Sequence, residues 1–212
     1  MKTRFIATAI AIALAAALPA HAILVNNAAD IPLPAPIIDF EAFDELITTG
    51  PVMVAPGLAF TGDQGSVLGA FIADLGDNGL WGVGNKFAAG GSIGELRFTL
   101  ADGLFTRGVG ALVNHFAIPA FPFSMVISAY GQNNQIIESY TFSVSTGASS
   151  LNDGIFAGIL RPQADIRSIA FKGNSLVLDN LTIATPVPEP GTAALFLAGL
   201  AVAGYMARRR SS

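Results

Sequence analysis

The stretch FSMVISAYGQNNQIIESYTFSV, residues 123–144, alternates apolar and polar side chains on both sides of a short loop that contains glycine and asparagine. In its second half, Tyr140, Phe142 and Val144 are separated by serine and threonine, which is the period of a strand with one buried face. Residues 131–135, GQNNQ, are of the types that favour a hairpin loop. The stretch therefore predicts two antiparallel strands joined by a hairpin.

The same period recurs along most of the chain between its two ends. It is clearest in ELRFTL at residues 95–100, and further candidate strands lie at 166–171, 176–183, 67–74 and 109–116. No stretch of this region has the period of an amphipathic helix, so parallel strands connected through helices are not expected. Many short strands separated by glycine, asparagine, aspartate and proline turns predict an all-β fold, an antiparallel β-sandwich of jelly-roll type.

The N-terminus has the three parts of a secretory signal peptide. Lys2 and Arg4 precede an apolar run over residues 5–18, and Pro-Ala-His-Ala follows at residues 19–22. The positive charges stay in the cytoplasm, the run is shorter than a usual membrane span, and small residues fit a signal peptidase. We predict a signal peptide helix over residues 1–22, cut after Ala22 by signal peptidase. A retained N-terminal anchor helix is the alternative.

The C-terminal segment, residues 185–212, also has three parts. It begins with the proline-rich sequence TPVPEPG, continues with an apolar run to Ala207, and ends with Arg208, Arg209 and Arg210 before two serines. Prolines lack a backbone N–H and hold the chain extended, so the first part is expected to be a linker presented to a processing enzyme. Residues 191–207 as a transmembrane helix would be about 25 Å long, just enough to cross a bilayer. The arginines would keep the C-terminus in the cytoplasm and the domain outside.

This order of parts resembles the PEP-CTERM sorting signal of Gram-negative bacteria. The resemblance is carried by Pro188, Glu189 and Pro190, by the short apolar run and by the arginine cluster. In that family a membrane-embedded exosortase recognises the tail, cuts at the Pro-Glu-Pro motif, and releases or transfers the protein at the surface. The resemblance implies an exosortase as processing partner, a transient membrane anchor, and a final location at the cell surface or outside the cell. A permanently anchored single-pass surface receptor is the alternative.

The region between the two ends, residues 23–184, is long enough to form one domain with its own core. Cysteine is absent from the chain, which excludes disulfides and thiolate chemistry. Once the targeting residues are set aside, acidic side chains outnumber basic ones and no basic run remains. Nucleic acid is therefore not an expected partner, because its binding requires a surface that neutralises phosphates.

Three short motifs of this domain resemble those of secreted jelly-roll domains that precede PEP-CTERM tails. They are IDFE at residues 38–41, WGVGN at 81–85 and LDNLT at 178–182. Such domains are similar to carbohydrate-binding modules, so the resemblance implies a non-catalytic binding or structural role, in association with exopolysaccharide or a biofilm. A secreted carbohydrate-active hydrolase is the alternative, and it would need two carboxylates at a defined separation.

Asp39, Glu41 and Asp179 are candidate ligands for a structural calcium ion. Ca²⁺ prefers several oxygen ligands, and these carboxylates lie near the start and the end of the domain, where the first and last strands of a sandwich can close together. Solvent exposure or hydrogen bonding within turns is the alternative for these side chains, and it is the one that we favour. No other cofactor is expected.

Trp81 is the candidate ligand-binding residue, because an aromatic face packs well on a sugar ring. Among Trp81, Tyr130 and Tyr140, we expect Trp81 to be the most exposed since glycine flanks it; core packing is the alternative that we favour for all three. His115 is the one histidine that remains after signal-peptide removal, and on a strand it is expected to be structural. No catalytic residue is predicted.

Overall fold

The structure is a computed structural model that describes residues 22–34, 37–92, 94–117 and 124–188, together with the single positions 199, 200 and 206. The predicted signal peptide helix, apart from Ala22, lies outside the described residues. So do Glu189, Pro190, the three arginines and nearly all of the predicted transmembrane helix. In the ranges that are described, no helix is both long enough and apolar enough to cross a bilayer.

The regular structure of residues 22–188, where described, consists of β-strands and one 3-10 helix at Ala28–Asp30. In chain order the strands are β1 (Ile23–Val25), β2 (Leu46–Ile47), β3 (Val52–Ala55), β4 (Leu58–Thr61), β5 (Val67–Ala70), β6 (Ala73–Asp74), β7 (Leu80–Trp81), β8 (Phe87–Ala89), β9 (Gly94–Leu100), β10 (Leu104–Phe105), β11 (Gly108–His115), β12 (Met125–Tyr130), β13 (Ile136–Phe142), β14 (Ile155–Leu160), β15 (Ser168–Gly173), β16 (Leu176–Ile183) and β17 (Val187–Pro188).

Two large sheets pack face to face. The seven-stranded sheet has the order β1-β14-β11-β16-β8-β5-β2, and the six-stranded sheet has the order β13-β12-β15-β9-β4-β3. The named strand pairs are antiparallel, including the two small pairs β6-β7 and β10-β17. The prediction of an all-β antiparallel sandwich is confirmed.

The predicted hairpin is formed by β12 and β13. Ile127 lies opposite Tyr140, Ser128 lies opposite Ser139, and the backbone N–H of Gly131 closes the loop with a 2.9 Å hydrogen bond to the carbonyl oxygen of Gln135. Because successive residues of a strand point to opposite faces, Ile127 and Tyr140 share the inner face of the sheet, and the two serines share its outer face. The sequence period therefore placed the faces of this hairpin correctly.

The core lies between the two sheets and is rich in phenylalanine. In β9 the side chains of Leu96, Phe98 and Leu100 are buried, and the residues between them point away from the core. The ring of Phe98 packs against Phe40 and Phe60, with centroids 6.0 and 5.5 Å away. Since each fully buried side chain of this size contributes about 1.5–3 kcal/mol, these contacts stabilise the sandwich without any disulfide.

Candidate functional site

A short pairing brings the start of the domain beside its last long strand. The backbone N–H of Ile38 donates to the carbonyl oxygen of Leu181 (3.0 Å), and the N–H of Leu181 donates back to Ile38 (2.9 Å). This bridge places Asp39 and Glu41 close enough to Asp179 for their charges to act on its carboxylate. The three predicted calcium ligands therefore share one region of the fold.

Asp179 occupies an irregular position in β16. The register between β11 and β16 shifts between Gly110 and Leu112, which is where β16 carries Asn180 with a left-handed φ of 52°. A bulge of this kind re-aims the neighbouring side chain. Asp179 as a whole residue is only 3% exposed, and its carboxylate accepts hydrogen bonds from the Asn85 side-chain amide (2.9 Å) and from the backbone N–H of Asn180 (2.7 Å).

Burial raises the pKa of Asp179 to about 6, because the ionised carboxylate loses contact with water. The hydrogen bonds from Asn85 and Asn180 oppose this shift, and the negative charges of Asp39 and Glu41 add to it. The charge of Asp179 therefore changes over the mildly acidic pH range, since its pKa of about 6 lies just below neutral pH.

The other two carboxylates of this region are engaged in local hydrogen bonds. Oδ1 of Asp39 accepts from the backbone N–H of Glu41 (3.2 Å), and Oε1 of Glu41 accepts from the backbone N–H of Lys86 (2.7 Å). Within the described part of the chain, no three acidic, histidine or cysteine side chains are placed to hold a metal ion. Calcium binding by Asp39, Glu41 and Asp179 stays a prediction.

Trp81 is 2% exposed and packs in the core, which is the alternative that we favour from the sequence. The expectation that it is the most exposed of Trp81, Tyr130 and Tyr140 is wrong, because both tyrosines are partly exposed. Its ring packs edge-on against Phe87 with centroids 5.4 Å apart, and its Nε1–H donates to the carbonyl oxygen of Asp153. The flanking glycine has another cause: Gly82 has a φ of 100°, and a Cβ atom there would lie 1.9 Å from the carbonyl oxygen of Phe71. Close backbone approach, not exposure, explains the glycine next to Trp81.

A buried amide network beside Trp81 was missed from the sequence. The Asn78 side chain donates to Oδ1 of Asn114 (2.5 Å), and the Asn114 amide donates to the carbonyl oxygens of Asn78 (3.1 Å) and Asp153 (2.8 Å). The backbone N–H of Thr146 donates to Oδ1 of Asn78 (2.8 Å). The network connects the loops that contain Asn78, Thr146 and Asp153 to β11. Its one signal in the sequence is Asn114, a buried polar residue in an otherwise apolar strand.

His115, the next residue of β11, is also structural in its contacts. The residue is 3% exposed, its Nδ1 lies 2.9 Å from the carbonyl oxygen of Phe116, and its Nε2 lies 3.2 Å from that of Val144. Both ring nitrogens therefore face backbone groups of the domain interior.

The outer face of the six-stranded sheet carries a polar and aromatic surface. We define the outer face by the side chains of β9, β12, β13 and β15 that point away from the core; its centre consists of Arg97, Ser128, Tyr130, Ser139 and Ser168. The guanidinium carbon of Arg97 lies 3.9 Å from the centroid of the Tyr130 ring, a cation–π contact.

Hydrogen bonds hold the Arg97 side chain in this position. Its Nε and NH2 groups donate to Oγ of Ser168 at 3.0 and 2.7 Å, and NH2 also donates to the side chain of Asn134 in the hairpin loop. Burial raises the pKa of Tyr130, with a further increase from Glu95 and an opposing effect of Arg97. The Tyr130 hydroxyl therefore stays protonated, and it can both donate and accept hydrogen bonds.

An apolar pocket of about 400 Å³ lies at another part of the sandwich, next to the C-terminal segment. Ile37, Val54, Pro56 and Pro186 are among its lining residues, and Asp39 is its one ionisable side chain. Such a lining has few groups that could hydrogen-bond to a polar ligand, so the outer face is the better candidate for binding one.

The C-terminal segment stays attached to the domain as far as it is described. β17 pairs with β10, with Val187 opposite Phe105 and Pro188 opposite Leu104. Both residues of β17 are exposed, so the segment is presented at the surface as expected, although it is paired and not a free linker.

A family model, the PEP-CTERM protein-sorting motif, matches residues 186–210. The chain therefore carries this sorting motif, which implies an exported protein that is processed by an exosortase, built around the all-β sandwich described above. The match does not extend into the sandwich. No curated protein sequence matches the chain.

Several solved structures are similar to the sandwich at a low level. The enzymatically active domain of tailspike protein 4 from bacteriophage CBA120 matches with 12% identity and a TM-score of 0.32, over 60% of this chain and 18% of that one. The CBM22-1–GH10 modules of xylanase 10B from Clostridium thermocellum, complexed with xylohexaose, match with 12% identity and a TM-score of 0.34, over 73% and 29%. The family 11 carbohydrate-binding module of Lic26A-Cel5E from the same organism matches with 14% identity and a TM-score of 0.28, over 66% and 93%.

Proposed function

We propose that this protein is sorted by an exosortase to the cell surface or the extracellular matrix, where its sandwich binds polysaccharide without catalysing a reaction. The observation that carries the binding proposal is the Arg97–Tyr130 pair on the outer face. The polysaccharide is an exopolysaccharide of the producing cell or of its biofilm.

The chemistry of the outer face suits a hydroxyl-rich polymer. The Arg97 guanidinium and the Tyr130 hydroxyl can hydrogen-bond to sugar hydroxyls, and the face of the Tyr130 ring that Arg97 does not cover supplies an apolar surface for a sugar ring. Ala170 lies opposite Arg97 on β15 and Ser128 lies opposite Ala170 on β12, and both small residues are buried among larger side chains. The partly exposed Arg97 and Tyr130 lie on two different strands, so an extended chain that crosses the strands can contact both.

Two observations support a role without catalysis. Glu95 points away from the core and lies opposite Lys172, not opposite a second carboxylate. Glycoside hydrolysis needs a pair of carboxyl groups, one on each side of the bond that is cut. His115 faces backbone carbonyl oxygens, so its ring nitrogens are engaged in the domain interior.

The binding proposal is tested with the mature protein recovered from cells and culture medium. Native electrophoresis through gels that contain exopolysaccharide purified from the same strain should show retardation relative to gels without polysaccharide. A protein that migrates identically in both gels, and that labels nothing on a glycan array, would overturn the binding role and leave a structural one. Release of reducing sugar on prolonged incubation would instead favour the hydrolase alternative.

The sorting proposal is tested by the intact mass of the protein in strains with and without the exosortase. We expect the segment after the Pro-Glu-Pro motif to be lost only when the exosortase is present. An unchanged C-terminus in both strains would favour the permanently anchored receptor.

A further inference from the structure

The sorting motif begins inside a strand pair of the folded domain. Pro188, the first residue of Pro-Glu-Pro, belongs to β17 and lies opposite Leu104 of β10. Next to it, Val187 lies opposite Phe105, a core residue that is 4% exposed. Pro188, the first residue of the motif, is therefore paired with β10, and β10 is fixed to the core through the buried Phe105.

The chain just before β17 is held as well. The Thr106 hydroxyl donates to the carbonyl oxygen of Ala184 (2.7 Å), and the backbone N–H of Ala184 donates to Gly108 (2.8 Å). The backbone N–H and the hydroxyl of Thr185 both donate to the carbonyl oxygen of Leu33, at 3.0 and 2.8 Å. The described segment is therefore held on the sandwich as far as Pro188.

Very little chain then remains before the apolar run of the tail. Glu189 and Pro190 alone separate Pro188 from Gly191, where that run begins. The three Cα–Cα steps from Pro188 to Gly191 span at most about 11 Å even when fully extended. While β17 is paired and the tail is in the membrane, this short connection keeps the β10 edge close to the bilayer. A membrane enzyme then has no room to enclose residues on both sides of the motif, because β10 occupies one side of Val187 and Pro188.

We propose that β17 must separate from β10 before an exosortase can bind the motif, so that the β10 edge and the enzyme compete for Val187 and Pro188. This inference rests on the proposed function, because it takes the tail to be an exosortase substrate. The pairing can open without unfolding the sandwich, since it spans two residues, Pro188 has no N–H to donate, and Val187 is 41% exposed. The strength of the β10–β17 pair then sets the rate of sorting.

A substitution on the β10 side tests the competition without altering the motif. Leu104→Ser removes the side chain opposite Pro188, and Leu46→Ser is the control, since β2 is another two-residue edge strand and Leu46 is 40% exposed. Pulse-chase with intact-mass detection measures processing in the exosortase strain. We expect Leu104→Ser to be processed severalfold faster than the wild type and Leu46→Ser to be unchanged. Equal rates for all three proteins would overturn the inference while leaving sorting intact.

A second measurement reports on the pairing without the exosortase and covers the case in which Leu104→Ser is poorly folded. A proline-specific endopeptidase is added to the purified full chain in detergent and, separately, to a peptide of residues 180–195. We expect cleavage after Pro186 and Pro188 to be much slower in the folded chain than in the peptide. Similar rates would overturn the inference. A wild-type protein that keeps its C-terminus with the exosortase present would overturn both this inference and the sorting proposal.

Discussion

The side-chain amide of Asn85 donates a 2.9 Å hydrogen bond to Oδ2 of Asp179, at the bulge of β16. Asn85 lies just before β8, the strand next to β16, so this bond joins two neighbouring strands through side chains. It partly offsets the cost of burying the carboxylate, but the pKa of Asp179 still rises to about 6. The domain therefore contains a buried acid that holds its proton more tightly than a carboxyl group in water does.

Asp179 should make the domain more stable in mild acid than at neutral pH. Its pKa is about 6 in the folded state, above the 3.8 of an aspartate in water, so the folded state binds the proton more tightly than the unfolded state does. The stabilisation is complete below the lower value and is lost as the pH rises through about 6; its size is on the order of 3 kcal/mol.

Asp179→Asn should remove this pH dependence and raise the free energy of unfolding at neutral pH. Urea unfolding between about pH 4 and pH 8 measures both effects. Asp102→Asn is the control, because Asp102 lies in an exposed turn. A wild type whose stability falls steadily on acidification through this range would contradict the prediction.

Calcium binding by Asp39, Glu41 and Asp179 makes a separate prediction. Millimolar Ca²⁺ should raise the melting temperature of the wild type, because a ligand that binds only the folded state stabilises it. The increase should be reversed by a chelator and be absent in Asp179→Asn. A melting temperature that does not respond to chelation would exclude the site.

Substitutions at the outer face should weaken polysaccharide binding and leave the fold intact. Arg97→Gln removes the cation–π contact, and Tyr130→Ala removes the ring. Each should lower the apparent affinity for the polysaccharide, measured from retardation in the gels, by about tenfold. Arg107→Gln is the matched control, since Arg107 is an exposed arginine outside the outer face. If all three variants bind like the wild type, the outer face is not the binding surface.

Gly82→Ala should destabilise the domain by about 3 kcal/mol or more, because the added Cβ meets the backbone of Phe71 and the φ of 100° is strained for any side chain. Gly84→Ala should cost only about 1 kcal/mol, since Gly84 also has a positive φ but has no atom within 4 Å of the added Cβ. Thermal unfolding of the two variants compares them directly. Equal losses would mean that the contact with Phe71 does not matter.

Asn114→Ala should cost about 2–4 kcal/mol, because it leaves buried partners such as the carbonyl oxygen of Asp153 without their donor. Asn133→Ala, in the exposed hairpin loop, should change the free energy of unfolding by less than about 0.5 kcal/mol. Chemical unfolding measures both. A small loss at Asn114 would show that water replaces the amide in the network.

The parts of the fold that could be predicted from the sequence depend on residues close together in the chain. The period of two in ELRFTL and in the hairpin around Gly131 places each side chain on a face, because that period follows from strand geometry alone. The site residues are different. Core packing was the favoured expectation for Trp81, but its flanking glycine was taken as a sign of exposure, whereas Gly82 is required by the backbone of Phe71, which lies between β5 and β6.

By itself, the sequence determined the sorting motif and the alternation of the strands, since a linear motif and a local period need no tertiary contact to be recognised. The tertiary structure decided which polar groups meet. Arg97 and Ser168 are 71 residues apart in the chain, Asn85 and Asp179 are 94 apart, and the tail strand β17 pairs with β10 from the middle of the domain. These contacts depend on the order of strands in the two sheets, and strand order is set by the packing of the whole core, which no local pattern encodes.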